Sequence, residues 1–212
     1  VRDNYYFDNK ILMVTSDRVS AFDHVLGTIP FKGQILSDIA KFWFNKTSDI
    51  VPNHFIKSVD PQVLLVHEAQ PLPVEVIVRR YITGSLWRDY QADKHHVYDL
   101  PFRSDLKKDE RFSQPILTPS TKEDYGKHDQ PISRQEIIIQ GLVTQEIYEQ
   151  AEEYALKLFK FGKFLKTCSI NLRYIFSVKP SVNEYFGIIL FTYSFLSNGT
   201  IYAGLAIWYF FL

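Results

Sequence analysis

Residues 71–90, PLPVEVIVRRYITGSLWRDY, place charged side chains inside an apolar run. The segment 74–82 has the β-branched composition of a buried strand. On such a strand Glu75 and Arg79 share one face and lie about 13 Å apart, too far to pair directly, while Arg80 points to the other face. Because an unpaired buried charge is costly, each needs a partner elsewhere in the protein or in a ligand.

The residues after this strand favour a ligand for Arg79. Gly84 lets the backbone approach an anion closely. Ser85 is predicted to be the N-cap of a helix that starts at LWRDY. An arginine beside a helix N-terminus can hold a phosphate group. The alternative is an ordinary strand–turn–helix with Arg79 on the surface.

The segment 15–23, TSDRVSAFD, follows a second predicted strand and is a candidate ligand site. It packs Asp17, Arg18, Ser20 and Asp23 into a short turn, with two acids near an arginine. Such a turn can hold a substrate or a magnesium ion. The alternative is a turn capped by its own side chains.

The segment 118–130, TPSTKEDYGKHDQ, is a second candidate site, in which Lys122 and His128 can grip a carboxylate substrate. His128 stands next to Asp129, but no nucleophile completes a catalytic triad. The alternative is a solvated loop.

Elsewhere the pattern predicts a mixture of strands and helices. The apolar residues of 33–46 recur at helical spacing, with Ile35 and Phe42 on the expected buried face. Residues 99–132 are expected to be a long loop. Strands followed by helices, without regular alternation, indicate an α+β fold. The other local signals are two prolines that interrupt the chain before the strand at 74–82 (Pro71 and Pro73), a capping box (SRQE, 133–136), a helix break (Gly141) and an apolar helix face (Ile147, Ala151, Tyr154, Ala155 and Leu158).

Composition excludes several classes of protein. Lys+Arg and Asp+Glu are both 24, so no global field favours nucleic acid or an anionic membrane. The one cysteine, Cys168, excludes an intramolecular disulfide and disfavours a cysteine-ligated metal cluster. We therefore expect a reducing, cytoplasmic location. The N-terminus lacks a signal-peptide pattern and an initiator methionine, so we expect the chain to begin inside a longer one.

The tail, residues 169–212, differs in composition from the rest of the chain. Its charged residues are Arg173, Lys179 and Glu184, whereas aromatic residues are frequent. It can be a membrane span, although polar residues interrupt the apolar run. It can also be a strand hairpin around Ser-Asn-Gly. The abrupt change favours a third interpretation, in which the tail is not native coding sequence.

Together these motifs resemble the SAICAR synthetase (phosphoribosylaminoimidazole-succinocarboxamide synthase) family. PLPVEVIVRRYITGS, TSDRVSAFD, IPFKGQ, VPNH and TPSTKEDYGKHD resemble the family's blocks in order and spacing, over residues 1 to about 166. The opening VRDNYY resembles the end of the family's phosphate loop. The resemblance implies a two-lobed fold, with ATP bound by residues 1–79, substrates bound by 80–168, and 169–212 as an atypical hydrophobic tail.

The resemblance also implies a reaction. L-Aspartate is joined to the carboxylate of carboxyaminoimidazole ribotide, with ATP and Mg²⁺, in purine biosynthesis. The implied catalytic residues are Glu75 and Lys122. The implied substrate-binding residues are Arg79, Ser85, Asp17, Arg18, Ser20, His128 and Asp129. The implied ATP-binding residues are Arg2, Gln70, Pro71 and Leu72, and no residue is assigned as a metal ligand.

The chain also departs from the family pattern. The glycine and lysine expected before Val1 and the family's later Asp-containing strand are not found, and VNEYFG at 182–187 echoes that strand only faintly. We therefore expect a chain truncated at both ends. The alternative to an active ligase is a catalytically incomplete fragment or decayed paralogue that keeps the ribotide phosphate site.

Overall fold

The computed structural model describes residues 2–21, 24–123, 129–164, 171–179, 184–190, 194–197 and 200–203, with side chains through residue 162. Its helices are α1 (Lys32–Thr47), α2 (Ser85–Gln91), α3 (Arg134–Ile139) and α4 (Gln145–Phe164), with a 3₁₀ turn at His95–Tyr98. Its strands are β1 (Arg2–Phe7), β2 (Lys10–Thr15), β3 (Arg18–Ala21), β4 (His24–Thr28), β5 (Phe55–Asp60), β6 (Val63–His67), β7 (Gln70–Tyr81), β8 (Arg111–Leu117), β9 (Ser120–Thr121), β10 (Asn171–Lys179), β11 (Glu184–Leu190), β12 (Ser194–Ser197) and β13 (Thr200–Ala203). The predicted α+β class is confirmed.

The chain divides into two compact units. The first contains residues 1–70 and 177–186, and the second contains residues 71–176 and 187–212. We expected the lobe boundary at 79/80. The division lies earlier because β7 pairs with β8 and β9, which keeps this strand with the second unit. Which ligand each lobe binds stays a prediction.

The first unit is built on a sheet of order β1-β2-β6-β5. Its strands pair antiparallel, with Met13 opposite Leu64 and Ile11 opposite Val66. All four of these side chains are buried. Every second residue of β2 is buried, as expected for a strand with one face on a core. β3 and β4 form a separate two-stranded ribbon.

Helix α1 confirms the predicted helix, but its buried face matches only part of the apolar set in 33–46, of which Trp43 is buried. Ile35 and Phe42 are exposed, whereas the small residues Ser37 and Ala40 are buried. Gly33 explains the difference, because a Cβ there would overlap the carbonyl oxygen of Thr15. The helix therefore approaches β2 along its small residues, which overrides the apolar periodicity.

The second unit is built around β7, in a sheet of order β11-β10-β7-β8 to which β9 adds by pairing with β7. Val74, Val76 and Val78 have no exposed surface, and Glu75 is only 1% exposed. Both faces of this strand are therefore covered, as in a central strand. The expected interruption by two prolines is wrong, because β7 begins at Gln70 and runs through them.

Two local signals were confirmed and one expectation was wrong. Ser133 accepts a hydrogen bond from the Glu136 backbone N–H, and the Glu136 carboxylate accepts one from the Ser133 N–H, which completes the capping box. Gly141, at φ 66°, separates α3 from α4. The long loop expected over 99–132 is wrong in part, because β8 and β9 form there by pairing with β7.

The described parts of the tail are strands. β12 and β13 pair antiparallel, with Ser197 opposite Thr200, so the hairpin predicted around Ser-Asn-Gly is present over these eight residues. β11 belongs to the larger sheet instead. Within the described residues, no helix is long and apolar enough to cross a membrane. Whether the tail is native coding sequence stays a prediction.

We predict that His54 makes the fold sensitive to mild acid. Its side chain is buried against Phe44, with ring centroids 5.1 Å apart. Burial, followed by the nearby charges of Arg2 and His67, lowers the pKa of His54 to about 3. Between about pH 3 and 6.5, His54 is therefore neutral in the folded chain, whereas in the unfolded chain its imidazole binds a proton. The free energy of unfolding should fall by up to about 1.4 kcal/mol per pH unit as pH drops from about 6.5 towards 3.

Urea unfolding between pH 7 and 5 measures this effect before most carboxylates titrate. His54→Gln should be less stable at pH 7 but should show a flatter dependence on pH. His24→Gln, at an exposed histidine on β4, is the control and should keep the wild-type slope. Equal slopes for the wild type and His54→Gln would refute the prediction.

Candidate active site

Arg79 lies on β7 and is held by three oxygen atoms. Its Nε donates to Thr118 Oγ1 at 2.8 Å, and its terminal nitrogens donate to Ser85 Oγ at 2.9 Å and to the Thr83 carbonyl at 3.4 Å. The side chain is only 6% exposed. Thr118, Ser85 and Thr83 thus fix the orientation of the guanidinium. The alternative of a surface arginine is wrong.

Ser85 contributes to this site in a way that the sequence did not predict. Gly84, at φ 62°, is the N-cap of α2, and Ser85 is the first helical residue with no capping bond. The predicted N-cap role of Ser85 is therefore wrong. Its hydroxyl instead accepts from Arg79, as does Thr118, which sequence reasoning missed.

Glu75 and Lys122, the two predicted catalytic residues, lie together. Lys122 Nζ is 3.3 Å from Glu75 Oε1, with Lys122 25% exposed and Glu75 buried. Strand pairing produces this contact, because Ser120 lies opposite Glu75 and the Lys122 N–H donates to the Pro73 carbonyl. The partner that the sequence required for Glu75 is thus a residue of the 118–130 segment.

The same segment is closed by Asp129. Its carboxylate accepts from the Glu123 N–H at 3.2 Å, and the Thr121 N–H donates to the Gln130 carbonyl. Asp129 therefore supports the backbone that carries Lys122. His128 lies outside the described residues, and its role stays a prediction.

Asp17 is engaged at the start of α1. Its carboxylate accepts from the Gly33 N–H at 2.8 Å, from the Phe31 N–H at 3.3 Å and from the Gln62 amide at 3.2 Å. A carboxylate at this position satisfies free N–H groups and complements the helix dipole. Arg18 pairs with Asp3 at 2.7 Å. Both side chains are thus engaged by residues outside the segment 15–23 rather than by the turn alone, and a ligand role stays a prediction. Asp23 lies outside the described residues.

The remaining predicted residues differ in exposure. Ser20 is exposed on β3, beside an irregularity in its pairing with β4. Gln70 and Pro71 are exposed at the start of β7, whereas Leu72 is buried. Arg2 contacts the sulfur of Met13 at 3.5 Å.

Lys32 of the first unit lies close enough to Asp17 and Arg2 for both to affect its pKa. Burial is the main cause that lowers the pKa of Lys32, Asp17 opposes the shift, and Arg2 adds to it. Lys32 Nζ donates to the Arg18 carbonyl at 3.0 Å. Lysine, arginine and backbone groups in one region suit a polyanionic ligand.

A cleft of about 710 Å³ in the second unit was not predicted. Arg134, Tyr148, Glu149 and Glu152 are among its lining residues, and none of the predicted site residues that the structure describes lines it. Burial raises the pKa of the Glu152 carboxyl, while Arg134 at 3.4 Å opposes this shift. The cleft is thus separate from the residues that the sequence singled out.

Known proteins resemble this chain in sequence and in fold. A family model described as SAICAR synthetase matches residues 1–173. The chain belongs to the SAICAR synthetase family. The resemblance found in the motifs is thereby confirmed, and the family region extends a few residues beyond the expected end near 166.

Individual family members show the extent of the match. The phosphoribosylaminoimidazole-succinocarboxamide synthase of Legionella pneumophila (strain Paris) is 42% identical over 166 residues, which are 76% of this chain and 53% of that protein. The chain thus spans about half the length of the curated relatives it matches. The Saccharomyces cerevisiae SAICAR synthase, solved in complex with SAICAR, is 31% identical with a TM-score of 0.72, over 88% of this chain and 69% of that one.

A more distant solved structure shares the fold. A SAICAR synthetase (Type-2) in complex with ADP is 22% identical with a TM-score of 0.66, over 88% of this chain and 76% of that one. The predicted SAICAR synthetase-like fold is confirmed by these structures.

We predict that Asp17→Ala destabilises the fold. Loss of the carboxylate removes the acceptor of two N–H groups at the start of α1, and we expect a cost of about 1–2 kcal/mol. Urea unfolding measures this cost. Asp38→Ala is the control, because Asp38 lies on the same helix in an exposed pair with Lys41 and should change stability by less than about 0.5 kcal/mol. If both variants unfold at the wild-type midpoint, Asp17 has no capping role.

We also predict that Glu75 and Lys122 are energetically coupled. Lys122→Met leaves a buried carboxylate without this ammonium and should cost roughly 1–3 kcal/mol, less than for a fully buried pair because Lys122 is partly exposed. Glu75→Gln should recover part of that loss in the double variant, as measured by a double-mutant cycle in urea. Lys108→Met, at an exposed lysine, is the control. Strictly additive effects of the two changes would contradict the coupling.

Proposed function

We propose that this chain catalyses the family reaction, the ATP-dependent ligation of L-aspartate to carboxyaminoimidazole ribotide, which forms SAICAR, ADP and phosphate in purine biosynthesis. One observation carries the proposal. The family signature folds as a buried strand on which Arg79 is oriented by Ser85 and Glu75 is paired with Lys122. The solved complexes of relatives with SAICAR and with ADP support the same ligand classes.

Arg79 and Ser85 are proposed to bind the ribotide 5′-phosphate. The guanidinium is oriented by Thr118 and Thr83 before any ligand arrives. An arginine held in this way loses little side-chain entropy on binding, and its planar fork matches phosphate oxygens. The Ser85 hydroxyl can turn from Arg79 to the phosphate.

ATP supplies a phosphate leaving group for the ribotide carboxylate, which by itself is a poor electrophile. The carboxylate takes the terminal phosphoryl group and ADP leaves. The aspartate amine then attacks the acyl carbon, the C–O bond to the phosphate breaks with its electron pair going to the phosphate oxygen, and the new amide nitrogen loses a proton to solvent. Charge develops on carboxyl and phosphoryl oxygens in both steps, so a preplaced cation is favourable.

Lys122 is proposed to be that cation. Its pairing with Glu75 holds the ammonium while a quarter of the side chain stays open to a ligand. Asp129 supports the backbone of the segment that carries Lys122. We assign His128 and Asp129, with Asp17, Arg18 and Ser20 as further candidates, to substrate contacts within the same proposal.

ATP is proposed to contact Arg2 and the backbone from Gln70 to Leu72. Arg2 and Lys32 supply positive charge for a triphosphate in this part of the first unit, beside the carboxylate of Asp17. Mg²⁺ commonly enters such sites with the nucleotide phosphates, so it needs no dedicated set of protein ligands. We include a cytoplasmic location in the proposal, which the single cysteine supports.

The test separates binding from turnover. SAICAR binding is measured by titration calorimetry, and ADP release is measured with ATP, Mg²⁺, carboxyaminoimidazole ribotide and aspartate. Arg79→Lys should weaken SAICAR binding on the order of tenfold, because an ammonium cannot replace a bidentate fork, and Ser85→Ala should have a smaller effect. Arg111→Lys and Ser113→Ala, at exposed positions on β8, are the matched controls.

The outcomes discriminate between the two candidate functions. ADP release that requires both co-substrates and falls in Arg79→Lys supports the ligase. SAICAR binding that falls in Arg79→Lys, without any ADP release, supports a protein that binds the ribotide phosphate but does not catalyse the reaction. A folded chain that neither binds SAICAR nor releases ADP would refute both.

A further inference from the structure

Asp93, His95 and His96 form a compact cluster directly after α2, in the segment DKHHVYD at 93–99. The reaction proposed above uses none of them. One ligand atom from each residue lies within 4.8 Å of the other two. His96 Nε2 is 2.9 Å and His95 Nδ1 is 3.9 Å from Asp93 Oδ1. Two imidazoles and a carboxylate therefore converge on one point.

His95 is the rigid member of the cluster. Its ring packs against Tyr90, with centroids 4.9 Å apart, and edge-to-face against Phe102 at 5.2 Å. The side chain is only 11% exposed, and Nδ1 is buried with no hydrogen-bond partner among the described residues. A buried ring nitrogen normally has such a partner. This nitrogen points to a ligand because it faces the exposed Asp93 carboxylate rather than an apolar wall.

Asp93 and His96 are the adaptable members, with side chains 82% and 72% exposed. Metal–nitrogen and metal–oxygen bonds are about 2.0–2.2 Å long. The ligand atoms must therefore lie closer to one another than the 4.8 Å limit of this cluster. Rotation of these two exposed side chains supplies the small shift, and no buried group has to move. The cluster thus combines one preoriented ligand with two that can close around an ion.

We propose that Asp93, His95 and His96 form a site for a divalent transition-metal ion, best matched by Zn²⁺. Imidazole nitrogen favours Zn²⁺ and its neighbours in the series, whereas Mg²⁺ favours oxygen ligands. Three protein ligands leave a fourth position of the tetrahedron to water. The bound ion joins the chain after α2 to the 3₁₀ turn at His95–Tyr98, which stabilises this segment.

The test uses the full chain without a histidine tag. Titration calorimetry with Zn²⁺ should give one equivalent bound, Mg²⁺ should give none at this site, and Co²⁺ should develop the visible bands of a tetrahedral site. Zn²⁺ should also raise the midpoint of thermal unfolding, because it binds the folded chain preferentially.

Three variants locate the ion. Asp93→Asn and His96→Ala change exposed side chains. His95→Phe keeps an aromatic ring in contact with Tyr90 and Phe102 but removes the imidazole nitrogens. Each should weaken Zn²⁺ binding by on the order of tenfold or more, since even an indirect partner of a metal ligand is worth about that much. His24→Ala removes an exposed histidine elsewhere and should bind Zn²⁺ as the wild type does.

Two results would overturn the proposal. In the first, the folded wild-type chain binds no stoichiometric Zn²⁺. In the second, Zn²⁺ binds, but the three variants keep the wild-type affinity, which locates the ion elsewhere. Circular dichroism of each variant establishes that weaker binding does not result from unfolding.

Discussion

A strand covered on both faces has no room for an isolated charge, yet β7 carries Glu75 and Arg79 in its interior. The desolvation cost of each charge has to be met by groups from other segments. Lys122, just after β9, forms an ion pair with Glu75. Thr118 and Ser85 accept hydrogen bonds from Arg79. The chain after β7 must therefore return alongside it, so the same polar contacts that permit this strand to be buried also arrange the candidate active site.

The first unit uses a polar side chain in a comparable way. The Asp17 carboxylate joins the turn after β2 to the first N–H groups of α1, and Gly33 lets that helix approach the strand. These residues belong to motifs that the family resemblance assigns to ligands. A residue of this kind can support both the fold and a ligand, so a loss of activity alone does not assign its role. Stability and binding have to be measured on the same variants.

The two proposed ion requirements of this chain differ in chemistry. The ligation reaction calls for Mg²⁺ carried by nucleotide phosphates, whereas Asp93, His95 and His96 offer two nitrogens and one oxygen. The second set lies on a short turn supported by Tyr90 and Phe102. An ion bound there would stabilise the segment that follows α2. Ser85, the first residue of α2, accepts a hydrogen bond from Arg79.

The sequence by itself determined the features that depend on local pattern, namely the part of β7 after the two prolines, the capping box at Ser133, the span of α1 and the family. Periodicity and capping chemistry act over a few residues, and motifs can be read in order. The tertiary structure decided the partner of Glu75, 47 residues away, the buried face of α1, and the strand β8 within a polar segment. These outcomes depend on strand pairing and close packing between distant segments, which override local propensity and leave no signal in the nearby sequence.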